Sequence, residues 1–312
     1  AMPASRSVGA GLLIRPLLNF SRDSLEAYAL RHDLCWVEDS SNQDLALDRN
    51  LLRRRVLPLL RERWPHVSGS LQRSALLCEE AAQLNAELAA LDLQPFARCK
   101  PARLQLQVLR QLSGARQRNA LRYWLLGQGC SGVGHQLLGR IMDELMSDGE
   151  SLRELQWRTW QLYRYRGWLY LQPALAALDT RTGGRWLLAD SAVSLCGESL
   201  PLADNGALCL RPGGRLRLIP GSQELAWRYR QEGESCRLIG RPQKALKQVL
   251  QEAGVPPWLR DRLPLLLVDG QLASVPGVGV CQEHATDESE PGWQLSWRFG
   301  DWQFDENSFV QN

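Results

Sequence analysis

Trp36-Val-Glu-Asp-Ser-Ser-Asn42, followed from Asp48 by Asp-Arg-Asn-Leu-Leu-Arg-Arg-Arg-Val-Leu-Pro58, is the stretch from which the chain becomes readable. An acidic, Asx-rich loop (Glu38, Asp39, Asn42, Asp44, Asp48) runs straight into a helix start that carries Arg49, Asn50 and Arg53. Leu52, Val56, Leu59 and Leu60 recur at helical spacing, which predicts a helix over about 48–63, restarted after a kink at Pro58. Asn42, Asp44 and Asp48 suit Asx-turn and N-cap positions. Arg49 and Arg53 are four residues apart, so they share a helical face, with Asn50 beside them. Guanidinium pairs near a helix start can hold phosphate or clamp a carboxylate. A solvated basic face has the same spacing, and periodicity does not separate the two readings.

On the N-terminal side, Ile14-Arg-Pro-Leu-Leu18 reads as an extended connector into a helix over about 22–32. Ser21 is its expected N-cap, with Phe20 and Leu25 at hydrophobic-staple positions. Leu34-Cys-Trp-Val37 reads as a short strand. On the C-terminal side the clearest element is a helix over 68–93, with Leu77, Ala81, Leu84, Leu88 and Leu91 on one face. Helices near 103–112, 115–127 and 132–147 follow. After Gly149 the period changes to alternation: Gln156–Tyr165 and Trp168–Leu171 form an expected hairpin turning at Arg166-Gly167. Gly- and Pro-punctuated strands continue to a boundary expected at Pro220-Gly221-Ser222. Beyond it, strands near 224–230, 265–268, 271–275, 278–282 and 293–298 surround a helix over 242–253. The expected architecture is multidomain: an α-helical middle region with short β-strands (61–221) precedes a small α+β domain (222–312). Because the chain begins at Ala1 and enters structure at once, it reads as a segment of a longer polypeptide.

A length of 312 residues suits about two domains, and 44% hydrophobic residues are enough for ordinary cores. No apolar run approaches the roughly 20 residues that span a bilayer, and no signal peptide opens the chain, so a cytoplasmic protein is expected. The eight cysteines include no Cys-x-x-Cys and do not pair with the four histidines at metal-ligand spacing. Reduced thiols and no metal site are expected. The twelve tryptophans read mostly as core.

A net charge of +3 says little about partners, but its distribution says more. Arg98 to Arg122 holds seven basic residues and no carboxylate, and Arg211 to Lys247 holds nine basic residues against three acidic. Arg118 and Arg122 share a helix face, for which simple solvation is the competing account. Only three of the 37 basic residues are lysine: Lys100, Lys244 and Lys247. Lys244 and Lys247 lie three apart in the expected helix, and Val255-Pro-Pro-Trp258 is expected to be an extended turn presenting Arg260 and Arg262. This combination fits contact with a nucleic-acid backbone, while Trp258 itself reads as a core plug. The chain contains no Walker or dinucleotide glycine motif. It also lacks a Ser-Gly-Gly-x-Asp-Ser turn of the kind with which PP-loop enzymes hold ATP.

Arg15-Pro-Leu-Leu18, Trp36–Asn42, Asp48-Arg-Asn50 with Arg53, Val56-Leu-Pro58, Lys244-Ala-Leu-Lys247 and Val255-Pro-Pro-Trp-Leu-Arg-Asp261 occur in an order that resembles the C-terminal two thirds of the tRNA(Ile)-lysidine synthetases. The resemblance implies that residues 1–60 are the tail of an α/β PP-loop domain and its linker, followed by two tRNA-gripping domains. It implies ATP-dependent ligation of lysine to C2 of the wobble cytidine in the CAU anticodon of tRNA(Ile), through an adenylated intermediate. ATP with Mg²⁺ would be bound mainly by an N-terminal domain outside this chain, so the chain alone is expected to be inactive. Arg49, Asn50 and Arg53 would approach the active-site cleft, and Lys244, Lys247, Arg260, Arg262, Arg118 and Arg122 would contact tRNA. The expected partners are tRNA(Ile) with a CAU anticodon, free L-lysine and ATP, without a membrane and with a homodimer left open. A noncatalytic RNA-binding protein sharing the C-terminal modules is the alternative.

Overall fold

The computed structural model describes residues 5–9, 11–18, 20–37, 40–96, 102–146, 152–186, 198–219, 223–287 and 292–305. Glu38, Asp39, Arg98, Lys100 and the expected boundary at 220–222 lie outside these residues. The chain divides into two compact units, 1–92 and 93–312.

In the first unit, β1 (Ser5–Val8) and β2 (Gly11–Ile14) form an antiparallel hairpin, and α1 spans Arg22–Arg31. Ser21 caps α1: its hydroxyl accepts from the Ser24 amide at 3.1 Å. The expected strand at 34–37 is absent, and these residues carry no regular structure before a single 3-10 turn at Ser40–Gln43. Helix α2 (Asp48–Leu51) continues through a π turn at Leu52–Val56 into α3 (Leu57–Arg63), so the helix is continuous but wound wider in the middle. Pro58 stands directly after the π turn and supplies no N–H to bond back to it, so the helix runs past a missing backbone donor rather than restarting at a kink. Asp48 does not cap this helix, because Leu47 occupies the N-cap position. Helix α4 (Val67–Asp92) closes the unit. Its predicted apolar face is not covered within the unit: Leu77, Ala81, Leu84 and Leu91 are exposed and Leu88 is half-buried. Leu52, Val56 and Leu59 are likewise exposed, as are most apolar side chains of this unit, so the predicted stripe is not covered here.

The second unit has two cores. The first lies where β3 (Arg103–Gln105), α5 (Leu106–Arg110), α6 (Gly114–Gly127) and α7 (His135–Arg140, extended by a π turn at Ile141–Leu145) pack on a sheet. That sheet is completed by β4 (Arg153–Trp157), β5 (Trp160–Tyr165) and β6 (Trp168–Pro173), in the order β3-β6-β5-β4. The expected helix at 103–112 therefore begins as a strand paired with β6, and only 106–110 is helical. The hairpin turn falls at Arg166-Gly167 as expected, but the run before it is two strands broken at Arg158, whose φ is 53°. Alternation then sorts the faces: Leu162, Leu169 and Leu171 enter the helical core, whereas Tyr163, Tyr165 and Tyr170 enter the second core.

The second core is built from β7 (Gly183–Arg185), β8 (Glu198–Pro201), β9 (Ala207–Gly214), β10 (Leu225–Arg228), β11 (Ser235–Cys236), β12 (Lys244–Ala245), α8 (Leu246–Glu252), α9 (Pro257–Arg260), β13 (Leu265–Val268), β14 (Gln271–Val275), β15 (Gly279–Val280), β16 (Gly292–Phe299) and β17 (Trp302–Phe304). Apart from the two-stranded pair β11-β12, the strands form two mixed-origin sheets, β15-β14-β13-β10-β7 and β17-β16-β9-β8, so strands at 183–185 and 198–214 join sheets with strands beyond 224. The β8–β9 turn requires Gly206: its φ is 73°, and a Cβ there would overlap the Arg298 carbonyl. Two sequence expectations change here. The helix predicted from 242 begins at Leu246, after a β-bridge segment, and Val255–Trp258 is not an extended turn, because Pro257 opens the short helix α9.

Candidate functional site

The loop before α2 is held by a side chain. Asn50, only 6% exposed, donates from Nδ2 to the carbonyls of Ser41 and Asp44, each at 2.8 Å. Asp44 in turn accepts from the Ala46 amide at 2.9 Å, the Asx turn expected for it. One carboxamide thus ties two points of the loop to the helix start. Arg49 and Arg53 are exposed and have no hydrogen bond or ion pair among the described residues. Arg53, Arg54 and Arg55 all sit in the π turn, a local widening that recurs at functional sites. The arrangement is a loop tied to the helix start by one carboxamide, beside guanidinium groups that have no partner among the described residues, which suits an anion.

The six basic residues of the second unit singled out from the sequence sort into three environments: exposed on a helix, paired with a carboxylate, or engaged with the protein interior. Arg118 and Arg122 are exposed four residues apart on α6. Lys247 is exposed in the first turn of α8. Lys244 is not on that helix: from β12 it meets both carboxylate oxygens of Glu252 at 2.8 Å, and this contact holds the Glu252 carboxyl below the usual carboxylate range. Lys244 and Lys247 therefore do not share a helical face.

Arg260 and Arg262 are engaged with the protein. Arg260 donates from Nε to the Val255 carbonyl at 2.9 Å and from a terminal nitrogen to the Tyr165 hydroxyl at 3.1 Å. Arg262 is buried, donates to the Ala176 carbonyl, and lies over the Phe299 ring at 5.8 Å. Burial pulls its guanidinium below the ordinary arginine value. Trp258 plugs the seam between them: it stacks on Tyr163 with ring centroids 4.0 Å apart and meets Tyr165 and Tyr170 edge-on. Desolvation in this cluster pushes the Tyr163 hydroxyl up to about 12. Sequence reasoning did not single out Arg215 and Arg241, which line a concavity of about 140 Å³ with Leu238, Ile239 and Val278. The excess of basic residues between 211 and 247 was the signal that pointed there.

Comparison with known proteins now adds to this geometry. Family models described as a PP-loop domain, a TilS substrate binding domain and a TilS substrate C-terminal domain match residues 1–60, 104–170 and 225–297. The first span contains Arg49, Asn50 and Arg53, the second Arg118 and Arg122, and the third Lys244, Lys247, Arg260 and Arg262. A protein of Serratia proteamaculans named tRNA(Ile)-lysidine synthase is 38% identical over 96% of this chain and 67% of its own length. Proteins of the same name from Coxiella burnetii (37% identity, 95% of this chain, 65% of that protein) and Pectobacterium atrosepticum (40%, 95%, 66%) are similar. A solved structure described as "Crystal structure of TILS C-terminal domain" aligns with 36% of this chain and 93% of that one, at 23% identity and a TM-score of 0.26. The chain spans about two thirds of the length of the curated relatives it matches. On identity sustained across nearly its whole length, the chain belongs to the tRNA(Ile)-lysidine synthase family.

Proposed function

We propose that this chain is the tRNA-recognising region, with the trailing edge of the adenylating domain, of an enzyme that uses ATP to join free lysine to C2 of the wobble cytidine of tRNA(Ile). The observation that carries this reading is the order of PP-loop, substrate-binding and C-terminal matches along one polypeptide. In this reading the ε-amine of lysine displaces AMP from the adenylated cytidine, and the residues of this chain bind and orient the substrates. Arg49 and Arg53 contact phosphate, of ATP or of the tRNA backbone, from the helix start. Asn50 acts as a positioning residue by fixing the loop beside them. Arg118, Arg122 and Lys247 neutralise RNA phosphates, while Lys244, Arg260 and Arg262 serve the RNA surface through the elements they hold. Mg²⁺ would arrive with the ATP phosphates. Among the described residues no group of three His, Cys, Asp or Glu side chains is gathered to bind a metal ion.

No helix among the described residues is long and apolar enough to cross a membrane. The test is a gel-shift comparison of tRNA(Ile) bearing CAU with methionine tRNA, using this chain, over a range of salt concentrations. Preferential, salt-dependent binding of tRNA(Ile) supports the reading. Equal or absent binding of both tRNAs would overturn it.

A further inference from the structure

Two stretches of the second core alternate between buried and exposed side chains. Leu216, Leu218, Cys236 and Leu238 enter the core, which leaves Arg215, Arg217 and Arg237 exposed. Residues 280–286 join the stretches through the backbone. The Ile239 amide donates to the Val280 carbonyl at 3.1 Å, and the Gln282 amide to the Arg237 carbonyl at 2.8 Å. Farther along the same run, the Arg217 amide donates to the His284 carbonyl and the Thr286 amide to the Arg215 carbonyl, each at 2.8 Å. Arg241 follows where the chain turns back, its amide donating to the Leu238 carbonyl at 3.0 Å. Arginines distant in the chain are thus gathered along one short run of backbone.

Arg215 and Arg241 meet at the concavity of about 140 Å³. Both are exposed, whereas Leu238, Val278 and Val280 in its lining are buried, so the arginines stand at its mouth over an apolar floor. The side chains of Arg237 and Arg241 make no hydrogen bond or ion pair among the described residues, and Arg217 donates to the Glu283 carbonyl at 3.4 Å. The Arg241 charge is felt at the Glu252 carboxyl, but Lys244 is the hydrogen-bonded partner of that group. Glu283 and Asp287, the carboxylates next to this run, form no ion pair among the described residues. Like charges gathered on one surface repel, and an anion from outside relieves that repulsion.

Charge and size select the ligand. The positive charge disfavours a cation, and about 140 Å³ falls below the roughly 300–1,000 Å³ of pockets that enclose a whole small molecule. The notch therefore takes one group of a larger molecule. Guanidinium forks match the oxygens of phosphate or carboxylate. A nucleic-acid backbone supplies such groups in a row, and Arg217 and Arg237 continue the positive charge beyond the notch. We propose that the notch between Arg215 and Arg241 seats one phosphate of the RNA backbone, with Arg217 and Arg237 meeting the phosphates beside it. The proposal rests on the RNA-binding reading and deepens it: Arg215 and Arg217 lie ahead of the span 225–297 matched by the C-terminal family model, so the contact surface extends past that module. A phosphate carries no base identity, so this row adds grip without choosing among tRNAs.

The test is filter binding of the full chain to tRNA(Ile) bearing CAU and to methionine tRNA over a range of salt concentrations. The double variant Arg237→Gln, Arg241→Gln should flatten the dependence of log affinity on log salt by about two units. Affinity for both tRNAs should fall by the same factor, on the order of tenfold per contact near 0.1 M salt. Both positions are exposed, so the variant should melt as the wild type does. Arg241→Lys keeps the charge and should keep its share of the slope. Arg140→Ala removes an exposed arginine that Glu144 already pairs at 2.8 Å, and should leave the slope unchanged. An unchanged slope in the double variant, or equal flattening per charge by Arg140→Ala, would overturn the proposal. A changed ratio between the two tRNAs would overturn phosphate as the group that is bound. Poly-L-glutamate that loses affinity for the double variant while tRNA does not would assign the row to an acidic protein and overturn it as well. The two levels separate: tRNA(Ile) preference with an unchanged slope in the double variant removes this row alone, whereas a wild type that binds neither tRNA removes the underlying reading with it.

Discussion

Asn50→Ala tests whether the loop before α2 is held by one side chain. Two hydrogen bonds disappear, each 2.8 Å long and made by a carboxamide that is 6% exposed. A net value of about 1 kcal/mol per bond gives about 2 kcal/mol. The freed Ser41 and Asp44 carbonyls lie on exposed residues and can rehydrate, so the larger penalty for buried unpaired groups does not apply. Two kcal/mol corresponds to roughly a thirtyfold increase in the open population of the loop. Hydrogen exchange read at the amides of Asp44 and Ala46 should therefore accelerate by about that factor, while exchange in α6 stays unchanged. Asn50→Asp supplies an independent control: at neutral pH its carboxylate would face two carbonyl oxygens, and the loop should open at least as far as in the alanine variant. Protonation at acid pH restores one donor and should recover part of the protection. Exchange at Asp44 and Ala46 within threefold of wild type in Asn50→Ala would refute the reasoning.

Lys247→Ala should flatten the dependence of log affinity for tRNA on log salt by about one unit, as expected for one lost phosphate contact, and Lys244→Ala should change it less, because Glu252 already holds Lys244; equal flattening in both, read by filter binding, would contradict this. Glu252 titrates below the usual carboxylate range, so its pairing is present at neutral pH and is lost as pH falls through that lowered value. Lys244→Ala should return the Glu252 titration, followed by NMR, toward the ordinary value. Arg49→Ala, at an exposed site without a partner among the described residues, should change stability by no more than about 0.5 kcal/mol and cut lysidine formation in the complete enzyme; full activity would remove its assigned role. Trp258→Ala removes the ring stacked at 4.0 Å on Tyr163 and should cost about 3–5 kcal/mol, measured by denaturant unfolding.

The local signals that proved readable were those that act over a few residues. Ser21 caps α1, Arg166-Gly167 turns the hairpin, and Asp44 makes its Asx turn, because each depends only on backbone geometry within a turn. Lys244 was misassigned for the opposite reason. Nothing between Gln243 and Leu246 forbids a helix, and only pairing of Cys236 with Lys244 holds that residue extended. The π turn at Leu52–Val56 was equally invisible, since the apolar spacing there is compatible with an uninterrupted helix.

By itself the sequence determined the family, through ordered motifs from Arg15 to Asp261, and with it the expectation of RNA as partner. It also determined where basic charge concentrates. Only the tertiary structure decided which basic groups are free to meet a phosphate. Arg260 and Arg262 read as surface charges in a string of letters, but one spans to the Tyr165 hydroxyl and the other is buried beneath Ala176 and Phe299. The physical reason is separation in sequence: their partners lie 95 and 86 residues away, beyond any local pattern, and come within reach only when the two sheets pack.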